Sequence, residues 1–306
     1  MHLVNKFKSI KKACTFVTLL LLFNLHIEAW ASTDKTIKNI YNQIRQIYKN
    51  SRIDKNKINS AKQFYVDNVT PIINSNEFIS FSGIELEYLF QATKITIAYN
   101  PEIKYVDDMN KVLNYLKVKN IIKKRHLADL QEAYIATRQF ELARDMIKNK
   151  NLDYLQAIPK VYRNKEIASN HPTIWQIGET SLTQRAFSIP NDGPFVLVVS
   201  NPLCNFSISA AKYIVSDREL EMIFSDYSYW LTEPRGKLYI ESFLKWSLNY
   251  PKLPAGLMHI APPWPGHPEL RSNIGTPAFY FFLMENLPSH LLAGLKRESL
   301  QHSIML

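Results

Sequence analysis

Apolar and polar positions alternate with two different periods along this chain, and the change between them divides it. From Thr33 to Lys150, apolar residues recur every three or four positions over Thr33 to Lys49, Lys55 to Ile73, Gly83 to Tyr99, Tyr105 to Val118, Lys123 to Thr137 and Phe140 to Lys150. Leu127, Leu130, Ala133 and Tyr134 share one face at that spacing, so each segment predicts an amphipathic helix. Later the pattern becomes a β-branched run, Phe195 to Val199, followed by a polar turn and a helix-compatible stretch from Ile208 to Val215. Leu220 to Phe224 reads as the next buried strand, Leu238 to Leu248 as a helix, Ser289 to Ala293 as a strand and Lys296 to Met305 as a closing helix.

Glycine and proline follow the same division. Ser32 to Lys165 holds one glycine, Gly83, and three prolines, whereas seven glycines and thirteen prolines lie from Glu166 onward. The first part therefore reads as helical and the second as mixed, with many turns. Charge divides likewise. Residues 32–165 carry 23 Lys and Arg against 14 Asp and Glu, a net of +9, and residues 166–306 carry 10 against 12, a net of −2. The basic helices present either a solvated surface or a contact for an acidic partner or an anionic envelope surface.

The first 31 residues read as a secretory signal. Lys6, Lys8, Lys11 and Lys12 precede an apolar run from Ala13 to Leu25, and Ala29-Trp30-Ala31 forms a cleavage site. That run is about a dozen residues, short of the ~20 that span a bilayer. Cleavage before Ser32 and export to a periplasmic or extracellular space are expected, with an uncleaved anchor as the alternative. Nucleic acid is not an expected partner of an exported chain.

Of the two cysteines, Cys14 lies in the signal, so the mature chain has one, Cys204. It follows Ser200-Asn201-Pro202-Leu203 at the junction of the apolar run and the next helix. Unpaired N–H groups and the helix dipole at such a junction favour the thiolate. Ser207 stands where a C-x-x-C motif has its second cysteine, and its hydroxyl is placed to donate to the sulfur. The thiol is either a nucleophile or an inert buried group. Pro251 to Pro268 holds six prolines with His259, Trp264 and His267 and reads as a rigid spacer. No His, Cys, Asp and Glu cluster has metal-ligand spacing, and no phosphate-loop, dinucleotide or G-x-S-x-G motif occurs, so neither metal nor cofactor is expected.

Ser200 to Ser207, followed at a distance by Gly275-Thr276-Pro277, resembles the active-site turn and cis-proline loop of thioredoxin-fold proteins. The resemblance covers about 130 residues. It implies a domain from 166 to 306 built as a mixed sheet flanked by helices, with Pro277 cis against the sulfur of Cys204 and the Thr276 backbone pairing with an extended client. It also implies, against the spacer reading, that Trp264 and His267 border a client groove near the cis-proline loop. Three departures stand out: Ser207 for the resolving cysteine, Val198 where many thioredoxins have a buried acid, and a longer interval from Cys204 to Pro277. Leu130, Tyr134, Phe140, Ala143 and Ile147, with Arg138 in the turn usually held by glycine, resemble one tetratricopeptide repeat. The 32–165 domain is thus expected to be a helical bundle or a short repeat array. The functional expectation is monothiol disulfide exchange with exported clients or an external thiol; the alternative is a non-catalytic binding or scaffold protein.

Overall fold

The computed structural model describes residues 36–49, 55–148, 152–168, 171–188, 194–232, 236–253, 255–258 and 276–283. They fall into two compact units. The first comprises the described residues up to 49, with 56–96 and 107–122; the second comprises 97–106 and everything from Lys123 onward. The expected signal, Trp264, His259, His267 and the 289–293 and 296–305 elements lie outside the described residues. No described helix is long and apolar enough to cross a membrane.

The first unit is helical: α1 (36–49), α2 (Lys55–Asn68), α3 (Thr70–Asn74), a 3-10 turn (Asn76–Ser80), most of α4 (Gly83–Tyr99) and most of α5 (Ile103–Val118). The single helix expected over Lys55 to Ile73 is divided, because Pro71 at the start of α3 has no N–H to continue the ladder. Helix α4 begins with a capping box: the Ser82 N–H donates to Glu85 Oε2 at 2.7 Å, and the Glu85 N–H to Ser82 Oγ at 3.3 Å. Ile44, Tyr65, Leu86, Phe90, Val112 and Leu113 are buried here.

The second unit holds α6 (Lys124–Ala136) and α7 (Phe140–Lys148), then β1 (Lys160–Tyr162), β2 (Thr173–Ile177), β3 (Ser181–Ala186) and β4 (Pro194–Ser200). After these come α8 (Asn205–Ser216), α9 (Arg218–Tyr227), β5 (Ser228–Thr232), α10 (Ile240–Asn249), β6 (Ala255–Met258) and β7 (Ala278–Leu283). The strands form one mixed sheet in the order β1-β3-β2-β6-β5-β4-β7. Strands β4, β5 and β6 are mutually parallel, and β7 runs antiparallel to β4. A helical part followed by a mixed sheet flanked by helices is the fold class the sequence predicts.

One face of β4 and β5, through Val196, Val198 and Trp230, packs under Ala211 and Ile214 of α8, Phe224 of α9 and Trp246 of α10. The opposite face carries Phe195, Leu197, Val199 and Leu231. Both faces of β4 are therefore apolar, as a central strand requires.

Two features differ from the sequence expectation. Leu220 to Phe224 is not a strand but the middle of α9. Asp217 caps that helix, its carboxylate accepting from the N–H groups of Glu219 and Leu220, and two acids in the first turn suit the helix dipole. The residues expected to close the helical domain instead pack on the sheet. Ile135, Phe140 and Ala143 of the α6–α7 hairpin share a core with Trp175, Leu182, Phe243 and Leu257, so position 165 falls inside the second unit. Arg138 closes α6 in the left-handed conformation, φ 60°, with Gln139 N–H donating to Tyr134 O and Arg138 N–H to Ile135 O.

Candidate functional site

Strand pairing brings the site together. Since β7 is antiparallel to β4 and Ala278 is registered with Val199, the residues preceding β7 meet the carboxyl end of β4, where the polar turn emerges. Cys204 lies in that turn as the N-cap of α8. Its Sγ donates to the carbonyl of Thr276 at 3.2 Å, 72 residues later in the chain. The Thr276–Pro277 peptide bond is cis.

Asn201 holds the turn. Its carbonyl accepts from the Cys204 N–H at 2.8 Å, and its Oδ1 accepts from the Leu203 N–H at 2.9 Å. Its own N–H donates to Ser207 Oγ at 3.2 Å. Ser207 is fully buried on the inner side of α8. The helix ladder then starts with Ile208 N–H donating to the Cys204 carbonyl at 3.0 Å.

Two opposing effects set the acidity of Cys204. Partial burial pushes the thiol up. Hydrogen bonds from Thr276, from the N–H groups of Ser207 and Phe206, and from the Ser207 hydroxyl outweigh it, leaving the thiol below its ordinary value of 9.0. The Thr276 carbonyl acts in the other direction, since only the protonated thiol can donate to it. Four hydrogen bonds toward sulfur, against burial and one acceptor, decide the sign. Every cause is burial or a hydrogen bond; no charged neighbour contributes. Val198, beneath the turn, is fully buried among Val196, Ala211 and Trp230, so the sheet offers no acid there.

The surroundings of the thiol are exposed and apolar. Cys204 is half-buried, while Leu203 and Phe206 beside it are 48% and 69% exposed. No charged residue occurs from Ser200 to Ala211. Among the described residues there is no group of His, Cys, Asp and Glu able to hold a metal ion.

Of the residues singled out in the sequence, the structure thus brings Cys204, Ser207, Thr276 and Pro277 together, and Trp264 lies outside the described residues. Sequence reasoning missed Asn201. The available signal was its place before Pro202, since Asn-Pro favours turn initiation and an Asn side chain readily takes a backbone N–H two residues on.

The order of β4, thiol turn, α8 and a proline-led β7 beside β4 is the element order the sequence predicts. No family model matches the chain, and no curated protein matches it. Among solved structures, the crystal structure of a thioredoxin-like protein from Bacteroides caccae is similar at 12% identity, over 81% of this chain and 86% of that one, with a TM-score of 0.26. That superposition is too loose to bear on the site, whose reading rests on its own geometry.

Proposed function

We propose that this chain is an exported thioredoxin-like protein whose Cys204 is a reactive monothiol that exchanges disulfides with client proteins. The observation that supports the reading is a sulfur at the N-cap of a helix, 3.2 Å from the Thr276 carbonyl beside a cis proline, with serine and not a second cysteine at position 207.

The exchange balances without a cofactor. The Cys204 thiolate attacks one sulfur of a client disulfide; the new Sγ–S bond forms as the client S–S bond breaks, and the departing thiolate leaves with the electron pair and takes a proton from water. Ser207 cannot attack the mixed disulfide in turn. Release therefore requires an outside thiolate, from the client itself, a partner or a small molecule, which restores the Cys204 thiol and carries the disulfide away. Such a protein isomerises or holds clients and performs no net reduction alone. Export rests on the basic and apolar amino-terminal segments and suits this chemistry, because disulfides persist outside the reducing cytosol.

Alkylation with a neutral thiol reagent tests the reading, with the modified residue identified by peptide mass. The expected result is modification of Cys204 near neutral pH well above the rate of an ordinary cysteine, and recovery of disulfide-linked adducts that vanish in Cys204→Ser. Labelling at the rate of a thiol titrating at 9 or higher, with no adducts, supports the binding-protein alternative instead.

A further inference from the structure

Exposed aliphatic side chains are gathered at one end of the first unit. Helix α5 closes on Asn120 in the left-handed conformation, φ 56°, with the Asn120 N–H donating to Lys117 O and the Ile121 N–H to Leu116 O. Val118, in that closing turn, is 77% exposed. Ile121 lies over the start of α4, its Cδ1 2.6 Å from where a β-carbon on Gly83 would stand, and Ile84, the residue after that glycine, is 61% exposed. The 3-10 turn reaches the same helix, since Phe78 packs edge-on to Tyr115 of α5 with ring centroids 4.6 Å apart, and Ile79 beside it is exposed. Among the described residues, Ile79, Ile84, Val118 and Ile121 are all the exposed large apolar side chains that the first unit has. Single exposed aliphatics are ordinary on a surface, but several drawn to one place mark a contact.

The charge of the same stretch narrows what that contact is. From Met109 to Ala128 the chain holds no acid, and Lys117, Lys119, Lys123, Lys124 and Arg125 are all exposed. Lys117 and Lys119 flank Val118, and among the described residues neither has an ion-pair partner. Four of these five cations are lysines. Protein interfaces favour aromatic residues and arginine and are poor in lysine, whose point charge lacks the fork that matches a single carboxylate. Lysines alternating with protruding aliphatics suit a diffuse anionic surface with an apolar layer beneath it.

We propose that this end of the first unit docks on an anionic phospholipid bilayer, with Val118, Ile84, Ile79 and Ile121 entering the headgroup boundary and Lys117 and Lys119 held at the phosphates. The inference is independent of Cys204 and gives the basic helices a surface to act on.

The test is sedimentation of the full chain with vesicles of phosphatidylglycerol and phosphatidylcholine in equal parts, against vesicles of phosphatidylcholine alone. Wild type is expected to bind the first and not the second, and to release when salt is raised from about 0.1 to 0.5 M. Each lysine beside an anionic leaflet is worth about fivefold in affinity, so Lys117→Gln with Lys119→Gln should weaken binding about 25-fold. Val118→Ser removes the apolar contact and should weaken it about tenfold. All three positions are exposed, and circular dichroism checks that the variants fold. Hydrogen exchange of the wild type carries the test without any variant: amides of 116–122 should slow when anionic vesicles are added.

Equal binding to both vesicles, binding to neither, or unchanged exchange at 116–122 overturns the inference. So does a loss in the lysine pair with none in Val118→Ser, which means attraction without insertion. Capture of polyglutamate with the same lysine dependence, and no vesicle binding, assigns the surface to an acidic protein instead.

Discussion

Two places in the second unit join helices to the same sheet by opposite means. The α6–α7 hairpin meets β2 through bulk: Phe140 packs edge-on to Trp175 with ring centroids 4.9 Å apart, and the Arg163 guanidinium lies 5.1 Å above the Trp175 ring. Paired amides reinforce it, with Gln131 and Gln156 exchanging two backbone-to-side-chain bonds of 2.8 Å and Gln156 in turn accepting from the Leu238 N–H. The β4–α8 junction instead exposes its apolar side chains, Leu203 and Phe206, and turns its main-chain donors inward toward one sulfur. The first place is built for stability and tolerates little loss of volume. The second adds little to stability and depends on where a few N–H and O–H groups point.

The contrast is tested most sharply by Trp175→Ala. It removes a fully buried indole from the shared core and should cost about 3–5 kcal/mol in urea unfolding, while leaving the alkylation rate of the folded protein unchanged. A loss below about 1 kcal/mol would show that α6 and α7 are not anchored through this ring. Next in size, Val198→Asp puts a carboxyl into a site with no exposure and no partner, at a cost of about 3 kcal/mol at neutral pH. Burial raises the folded-state pKa of that acid, so the variant should be closest to wild type in acid and lose stability as pH rises; a flat pH response would refute the dry interior assigned to this position.

Asp217→Ala should cost about 1 kcal/mol by removing the cap of α9, read by thermal unfolding, and no change would mean that the cap does not hold the helix. The smallest effect concerns the thiol. Its folded-state pKa lies below the unfolded 9.0, so Cys204 contributes stability that is full above pH 9 and disappears as pH falls through the folded value. Cys204→Ser should abolish that slope. Because dipoles and not charges set the shift, raising salt from 0.05 to about 0.5 M should leave the alkylation midpoint in place, whereas an ion-paired thiolate would lose its shift to screening.

What the sequence determined by itself was local. Phe195 to Val199 has to be a buried strand because both faces are apolar and branched, and the turn after it has to deliver Cys204 to a helix start. The 3.6-residue period likewise marks α4 to α7 within a few positions, and Arg138 was legible as the residue in the turn after α6. Where local signals competed, the reading failed: Leu220 to Phe224 is apolar enough for a strand, but Asp217 and the acids after it start a helix first.

Tertiary structure alone decided the rest. Nothing near Cys204 in the chain specifies that Thr276 lies against its sulfur; that follows from the registry of Val199 with Ala278, a pairing across nearly eighty residues that side-chain periodicity does not encode. Nor does the helical period of α6 and α7 say whether their apolar stripe buries against other helices or against Trp175 and Leu182. An amphipathic face specifies that it must be covered, and only the assembled sheet specifies by what.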